Sequence, residues 1–169
     1  MSLDDGQVNI RVSILPTVFG EKAVMRIMAF NGKLEHADHF GMDEYSYKQF
    51  APLLNYPNGI IYITGPTGSG KSTTLYMILE YLTGRNINIS TIEDPVEKNL
   101  PGINQTQVNP VAGLTFDVGL RALMRQDPDV IMVGETRDGE TAGTSVRAAI
   151  TGFIHINQQR SEEHTSELQ

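Results

Sequence analysis

Gly65-Pro66-Thr67-Gly68-Ser69-Gly70-Lys71-Ser72 is the stretch on which the reading of this chain turns. Before it runs Gly59-Ile60-Ile61-Tyr62-Ile63-Thr64, an apolar, β-branched run that reads as a buried strand. After it, Thr73-Thr74-Leu75-Tyr76-Met77-Ile78-Leu79-Glu80-Tyr81-Leu82 reads as a helix. In the context of strand, glycine loop and helix, a G-x-x-x-x-G-K-[ST] match becomes a phosphate site. Glycines let backbone N–H groups turn inward around an anion, and the helix N-terminus adds its dipole. Lys71 can then reach β- and γ-phosphates, and Ser72 can place its hydroxyl on Mg²⁺. Gly65 through Thr73 is therefore the candidate phosphate-binding segment. A glycine-rich turn with an incidental lysine is the competing account, and the flanking elements argue against it.

On the C-terminal side, Asn86 to Glu93 is the next strand, with Ile87, Ile89 and Ile92 apolar. Strand, helix, strand predicts a parallel sheet with right-handed crossovers. Gly102 to Asn109 reads as a short strand and Val111-Ala112-Gly113 as a turn. Thr115 caps a helix through Arg125, and Asp127-Pro128-Asp129 breaks it. Val130-Ile131-Met132-Val133 is a fully buried strand, and Asp138 caps a last helix through Ile150. On the N-terminal side, Asp43 caps a helix to about Leu54, and Asn31 to Gly41 is a polar linker. Further back, Val8, Ile10, Val12 and Ile14 alternate with Asn9, Arg11 and Ser13, the pattern of a half-exposed strand. Pro16 to Gly20 is a turn and Glu21 to Met28 a second strand. Such a hairpin is too small to stand alone, so it reads as the last piece of a larger N-terminal sheet. The expected organisation is a hairpin over 1–30, a linker over 31–42, an α/β domain over 43–159 and a tail over 160–169.

The 169 residues allow one good core plus a small appendage. A hydrophobic share of 40% fits an α/β domain. No apolar run approaches membrane-spanning length and the start lacks a basic-then-apolar signal layout, so a cytoplasmic protein without membrane insertion is expected. Without cysteine there is neither a disulfide framework nor a thiolate zinc site. A net charge of -7 argues against nucleic acid as the main ligand.

Three groups of residues can carry chemistry. Val130 to Val133 runs into Gly134-Glu135, an apolar strand ending in a carboxylate, where Mg²⁺ waters or an attacking water could be oriented. The usual aspartate is absent and Gly134 stands in its place. Glu93-Asp94-Pro95-Val96-Glu97 ends another strand, and three carboxylates so close repel each other unless a cation or an arginine offsets them. A solvated loop is the plainer account of Glu97, less so of Glu93. Arg11 and Arg26 lie on the hairpin strands; an arginine brought from outside can stabilise γ-phosphate charge, whereas a surface salt bridge is the simpler account of a strand arginine. Arg121, Arg125 and Arg137 flank the Glu135 strand and fit solvated helix ends as well as a nucleotide or subunit contact.

Taken in order, these pieces resemble the secretion ATPase family, the motors of type II secretion, type IV pilus assembly and competence. The matching stretches are Arg11 to Thr17, Gly20 to Arg26, the phosphate loop, Thr91-Ile92-Glu93-Asp94-Pro95-Val96-Glu97, and Leu123 to Asp129 through Glu135-Thr136-Arg137-Asp138. The resemblance implies a RecA-like phosphate-loop NTPase core, a hexameric ring of two-domain subunits, and ATP with Mg²⁺. It implies that Arg11 and Arg26 reach toward nucleotide, that Glu93, Asp94 and Glu97 form an acidic box, and that Glu135 is catalytic or, with Ser72, associated with Mg²⁺. ATP-driven domain movement would then work on an inner-membrane platform protein that builds or retracts a pilin filament, with the motor peripheral at the inner face of the cell membrane. The Arg125-Gln126-Asp127-Pro128-Asp129 run leans toward the assembly side.

The resemblance fails after Gly152. The family continues with Gly-His, an apolar strand and a second histidine; here Phe153-Ile154-His155-Ile156-Asn157 follows, and His155 is given no role. Arg160-Ser161-Glu162-Glu163-His164-Thr165-Ser166-Glu167-Leu168-Gln169 matches, codon for codon, the translation of a common sequencing-library adapter, and is expected to be non-native. A truncated motor that binds nucleotide with little turnover is one alternative. Another phosphate-loop enzyme is a second, although no Leu-Ser-Gly-Gly-Gln signature of transporter ATPases is present.

Overall fold

A computed structural model describes residues 9–28, 38–136, 139–150 and 154–160. They fall into two compact units, Met1–Glu35 and His36–Gln169.

In the first unit, β1 (Asn9–Thr17) pairs antiparallel with β2 (Gly20–Met28). The turn is tighter than the sequence suggests, because Pro16 and Thr17 stay in the ladder opposite Glu21 and Gly20. A two-stranded ribbon has only edges, where a proline is tolerated. Thr17 Oγ1 closes the turn by donating to the Gly20 carbonyl at 2.6 Å. The register puts Ile10, Val12 and Ile14 opposite Ile27, Met25 and Ala23 on one face. On the other face Arg11 stands directly opposite Arg26, both exposed.

The second unit is built on five strands: β3 (Gly59–Gly65), β4 (Ile89–Glu93), β5 (Asn104–Gln107), β6 (Val130–Val133) and β7 (Ile154–Arg160). Their order is β3-β7-β6-β4-β5, and every neighbouring pair is parallel. The helices are α1 (Glu44–Phe50), α2 (Lys71–Thr83), α3 (Phe116–Leu123) and α4 (Gly139–Ile150). Side chains alternate along β6. Val130 and Met132 pack with Leu75, Tyr76, Ile78 and Leu79 of α2, whereas Ile131 and Val133 pack with Leu120 and Leu123 of α3. Helices on both faces explain why this strand is an unbroken apolar run.

Local signals place the helices. Asp43 Oδ1 accepts from Ser46 N at 3.0 Å and Thr115 Oγ1 from Val118 N at 3.3 Å, so both expected caps form. Asp138, the expected cap of α4, lies outside the described residues. After Phe50 the chain tightens into a 3₁₀ turn, Ala51–Asn55, that carries Pro52 in its first turn.

One strand escapes the sequence reading. The segment from Ile154, where the family pattern breaks, forms β7 and lies between β3 and β6, pairing Gly59 to Gly65 with Ile154 to Arg160. Arg160, assigned to the tail on sequence, is its last residue; residues 161–169 lie outside the described set.

At the amino end of β4, Asn88 ties the sheet to the turn that precedes β6. Its backbone N–H donates to Asp129 Oδ2 at 2.7 Å, and its side chain donates to the carbonyls of Gln126 and Asp127, both at 2.9 Å. The second of these bonds holds Asp127 in a left-handed conformation, φ 53°. Asp127-Pro128-Asp129 is thus a clamp as well as a helix breaker.

Candidate nucleotide site

The phosphate loop leaves β3 at Gly65 and enters α2 at Lys71. Gly70 has φ 86°, a left-handed conformation that a side chain would strain, and it turns the chain directly into the helix. Thr74 N donates to the Gly70 carbonyl at 2.9 Å, closing the first helical turn. Pro66 to Gly70 are exposed, whereas Lys71, Ser72 and Thr73 are half-buried. Lys71 Nζ folds back over the loop and donates to the Gly65 and Pro66 carbonyls at 2.9 and 2.8 Å.

At the carboxyl ends of the strands, Ser72, Leu75, Tyr76, Glu93, Asp94, Pro95, Glu97, Met132, Gly134 and Glu135 line one open cavity of about 110 Å³. That volume holds a handful of waters at ~30 Å³ each. The structure therefore brings together Ser72, Glu93 and Glu135, three residues singled out from sequence on three different elements. Arg11 and Arg26 belong to the other unit, where the structure pairs them with each other.

Glu93 is only 3% exposed. Its Oε1 accepts from Thr91 Oγ1 at 2.5 Å and from Gln105 Nε2 at 3.1 Å, and its Oε2 accepts from the Tyr76 hydroxyl. The expectation that a cation or an arginine must offset this carboxylate is thus met differently: neutral hydroxyl and amide donors surround it. Asp94 is exposed at the cavity rim and Glu97 is half-buried. Burial first, and the charge of Glu93 second, push the Glu97 carboxyl above its ordinary value. Tyr76 donates to Glu93 and accepts from the N–H groups of Glu97 and Lys98 at 3.1 and 3.4 Å. Burial, and then its bond to Glu93, push the Tyr76 hydroxyl well above the ordinary phenol range, so it remains a donor. Lys98 Nζ adds an ion pair to Glu80 of α2 at 2.5 Å.

Gly134, where the strand-end aspartate is missing, packs closely against β4. Gly134 N donates to the Ile92 carbonyl at 2.8 Å, and a Cβ on Gly134 would meet Glu93 Cα at 3.2 Å and Glu93 Cγ at 3.4 Å. A side chain at 134 would sit tightly against β4, and the buried carboxylate beside the phosphate loop is Glu93 of that strand. Of the flanking arginines, Arg121 bonds Asp117 at 2.8 Å and Glu140 at 3.1 Å, a staple between α3 and α4. Arg137 lies outside the described residues. Tyr76 and Gln105 were missed from sequence. A tyrosine at a core position of a helix looks like packing, and only its hydroxyl hints at a polar partner.

Fold and loop together define a phosphate-loop domain of the α/β class, with a parallel sheet between helices. Comparison with known proteins is more specific. The family model described as "Type II/IV secretion system protein" matches residues 1–160, and the chain belongs to that family. It is 51% identical over 150 residues to type II secretion system protein E of Dickeya dadantii, covering 89% of this chain and 30% of that protein. It is 52% identical to the type IV pilus assembly ATPase PilB of Thermus thermophilus, covering 88% of this chain and 17% of that protein. The crystal structure of the pilus retraction motor PilT with bound ADP superposes with a TM-score of 0.66 at 30% identity, covering 90% of this chain and 48% of that one. The chain thus spans less than a third of the length of these two curated relatives.

Proposed function

We propose that the chain binds and hydrolyses ATP as the motor part of a machine for protein secretion or pilus assembly. One observation carries this reading: Ser72, at the start of the helix that follows the phosphate loop, shares a cavity with the carboxylates of Glu93 and Glu135. In this reading the loop N–H groups and Lys71 bind the phosphates, Lys71 exchanging its carbonyl partners for phosphate oxygens. Glu135 takes the proton of the attacking water or orients it. Arg11 and Arg26 approach the nucleotide from the hairpin; two like charges set opposite each other repel unless an anion lies between them. The motor works as a hexameric ring on an inner-membrane platform protein, at the cytoplasmic face of that membrane.

The donor set suits Mg²⁺. A hydroxyl and carboxylates are hard oxygen ligands, and Mg²⁺ with nucleotide takes one or two carboxylates plus phosphates rather than a cage made by the protein alone. Among the described residues no group of three or more His, Cys, Asp or Glu forms such a cage. Ser72 would hold the ion with Glu93 and Glu135 nearby, and the ion would supply neutralisation of the phosphate charge. The test is equilibrium binding of Mg·ATP to the chain and to Lys71→Ala. Binding is expected to disappear in the variant, and undiminished binding would refute the phosphate-loop reading.

A further inference from the structure

Tyr76 follows Ser72 by four residues on α2, so the two side chains share one face of the helix, and both line the cavity. Tyr76 is 2% exposed. A phenylalanine would fill the same space without burying a hydroxyl, which is costly unless it is bonded. Here the hydroxyl is used as donor and as acceptor: it donates to Glu93 Oε2 and accepts from the N–H groups of Glu97 and Lys98. Thr91 and Gln105 hold the other oxygen of Glu93. Donors on α2, β4 and β5 thus fix both oxygens of one carboxylate, and Tyr76 joins that carboxylate to the helix that begins with Lys71 and Ser72.

Resting on the nucleotide reading above, we infer that Tyr76 is a positioning residue for that site: its hydroxyl holds the Glu93 carboxylate ready for the Mg²⁺ that accompanies nucleotide, and it ties the segment Asp94 to Lys98 to the phosphate-loop helix. Neighbours that orient a metal-associated group govern metal affinity, and their loss costs about 10- to 100-fold. Packing is a different role and leaves a different trace. A tyrosine that only packed would be replaced by phenylalanine without consequence for Mg²⁺.

The experiment is a Mg²⁺ titration of the chain bound to a non-hydrolysable ATP analogue, so that it does not depend on turnover. It is run on the unaltered chain, Tyr76→Phe, Glu93→Gln and the double variant. In Tyr76→Phe the half-saturating Mg²⁺ concentration is expected to rise about tenfold or more, with affinity for the metal-free analogue unchanged. Glu93→Gln is expected to raise it too, and the double variant to be no worse than Glu93→Gln alone, because the tyrosine acts through the glutamate. An unchanged Mg²⁺ requirement in Tyr76→Phe overturns the proposal. So do losses that add in the double variant, a metal-free affinity that falls along with the metal effect, or an analogue affinity in the unaltered chain that ignores Mg²⁺. Lys71→Ala in the same assay separates the two levels: if it binds the metal-free analogue as tightly as the unaltered chain, the phosphate-loop reading itself falls, and this proposal falls with it.

Discussion

Strands β4 and β6 carry a polar cluster at each end. At the amino end Asn88 reaches Gln126, Asp127 and Asp129, and all of these bonds lie at the exposed surface. At the carboxyl end Glu93 gathers Tyr76, Thr91 and Gln105 in the interior. In the first cluster the Asn88 amide closes on two backbone carbonyls. The second faces a cavity that also holds Ser72 and Glu135. Hydrogen bonds of similar number therefore do different work. At the surface water can replace a lost partner, whereas in the interior an abandoned donor bears its full desolvation cost.

That difference can be broken deliberately. Glu93→Ala leaves three interior donors without their acceptor, and a loss of about 3 kcal/mol is expected. Asn88→Ala removes three side-chain bonds, to Gln126, Asp127 and Asn104, yet its neighbours stay wet, and about 1 kcal/mol is expected. Urea unfolding of both variants checks the ranking. Equal losses would show that the two ends do not differ in the way their burial implies.

A smaller effect sharpens the contrast, because Asp117 is a carboxylate offset in the opposite manner to Glu93. The hydrogen bond from Arg121, followed by that from Thr144, holds its carboxyl below the ordinary value. The folded chain therefore gives up this proton at a lower pH than the unfolded chain. The resulting stabilisation is complete above the unfolded value and fades as pH falls through the folded one. Urea midpoints of the chain and of Asp117→Asn, taken from about pH 7 down to about pH 3, are expected to differ at neutrality and to converge in acid. A gap that stays constant with pH would assign the Asp117 contribution to geometry rather than charge.

Much of this molecule was legible in the residues. The phosphate loop announces its strand and helix, Asp43 and Thr115 mark helix starts, and Val130 to Val133 could only be an interior strand. These signals are local: each depends on a few neighbouring side chains and the backbone they favour. The misses are those in which distant segments meet. β7 carries Asn157, Gln158, Gln159 and Arg160, too polar for an apolar-run reading, and its interior place comes from pairing with both β3 and β6. Gly134 looked only like a departure from pattern, and its close approach to Glu93 and the Ile92 carbonyl appears only in the folded chain. The acidic run looked short of a cation because Thr91, Gln105 and Tyr76, scattered along the chain, gave no sign of converging on one carboxylate.

The insertion of β7 between β3 and β6 has a consequence for how the molecule comes into being. On the ribosome β3, β4, β5 and β6 emerge before the strand that joins the first of them to the last. Ser72 and Glu135 follow β3 and β6 respectively, and in the folded sheet β7 is the strand that joins those two. At ordinary rates of synthesis a few seconds separate the appearance of β6 from the completion of β7, and until then β3 and β6 lack their shared partner. Nucleotide affinity should therefore arise late and abruptly in the life of each chain, and that waiting interval is when a chaperone, or a neighbouring nascent strand, has its opportunity.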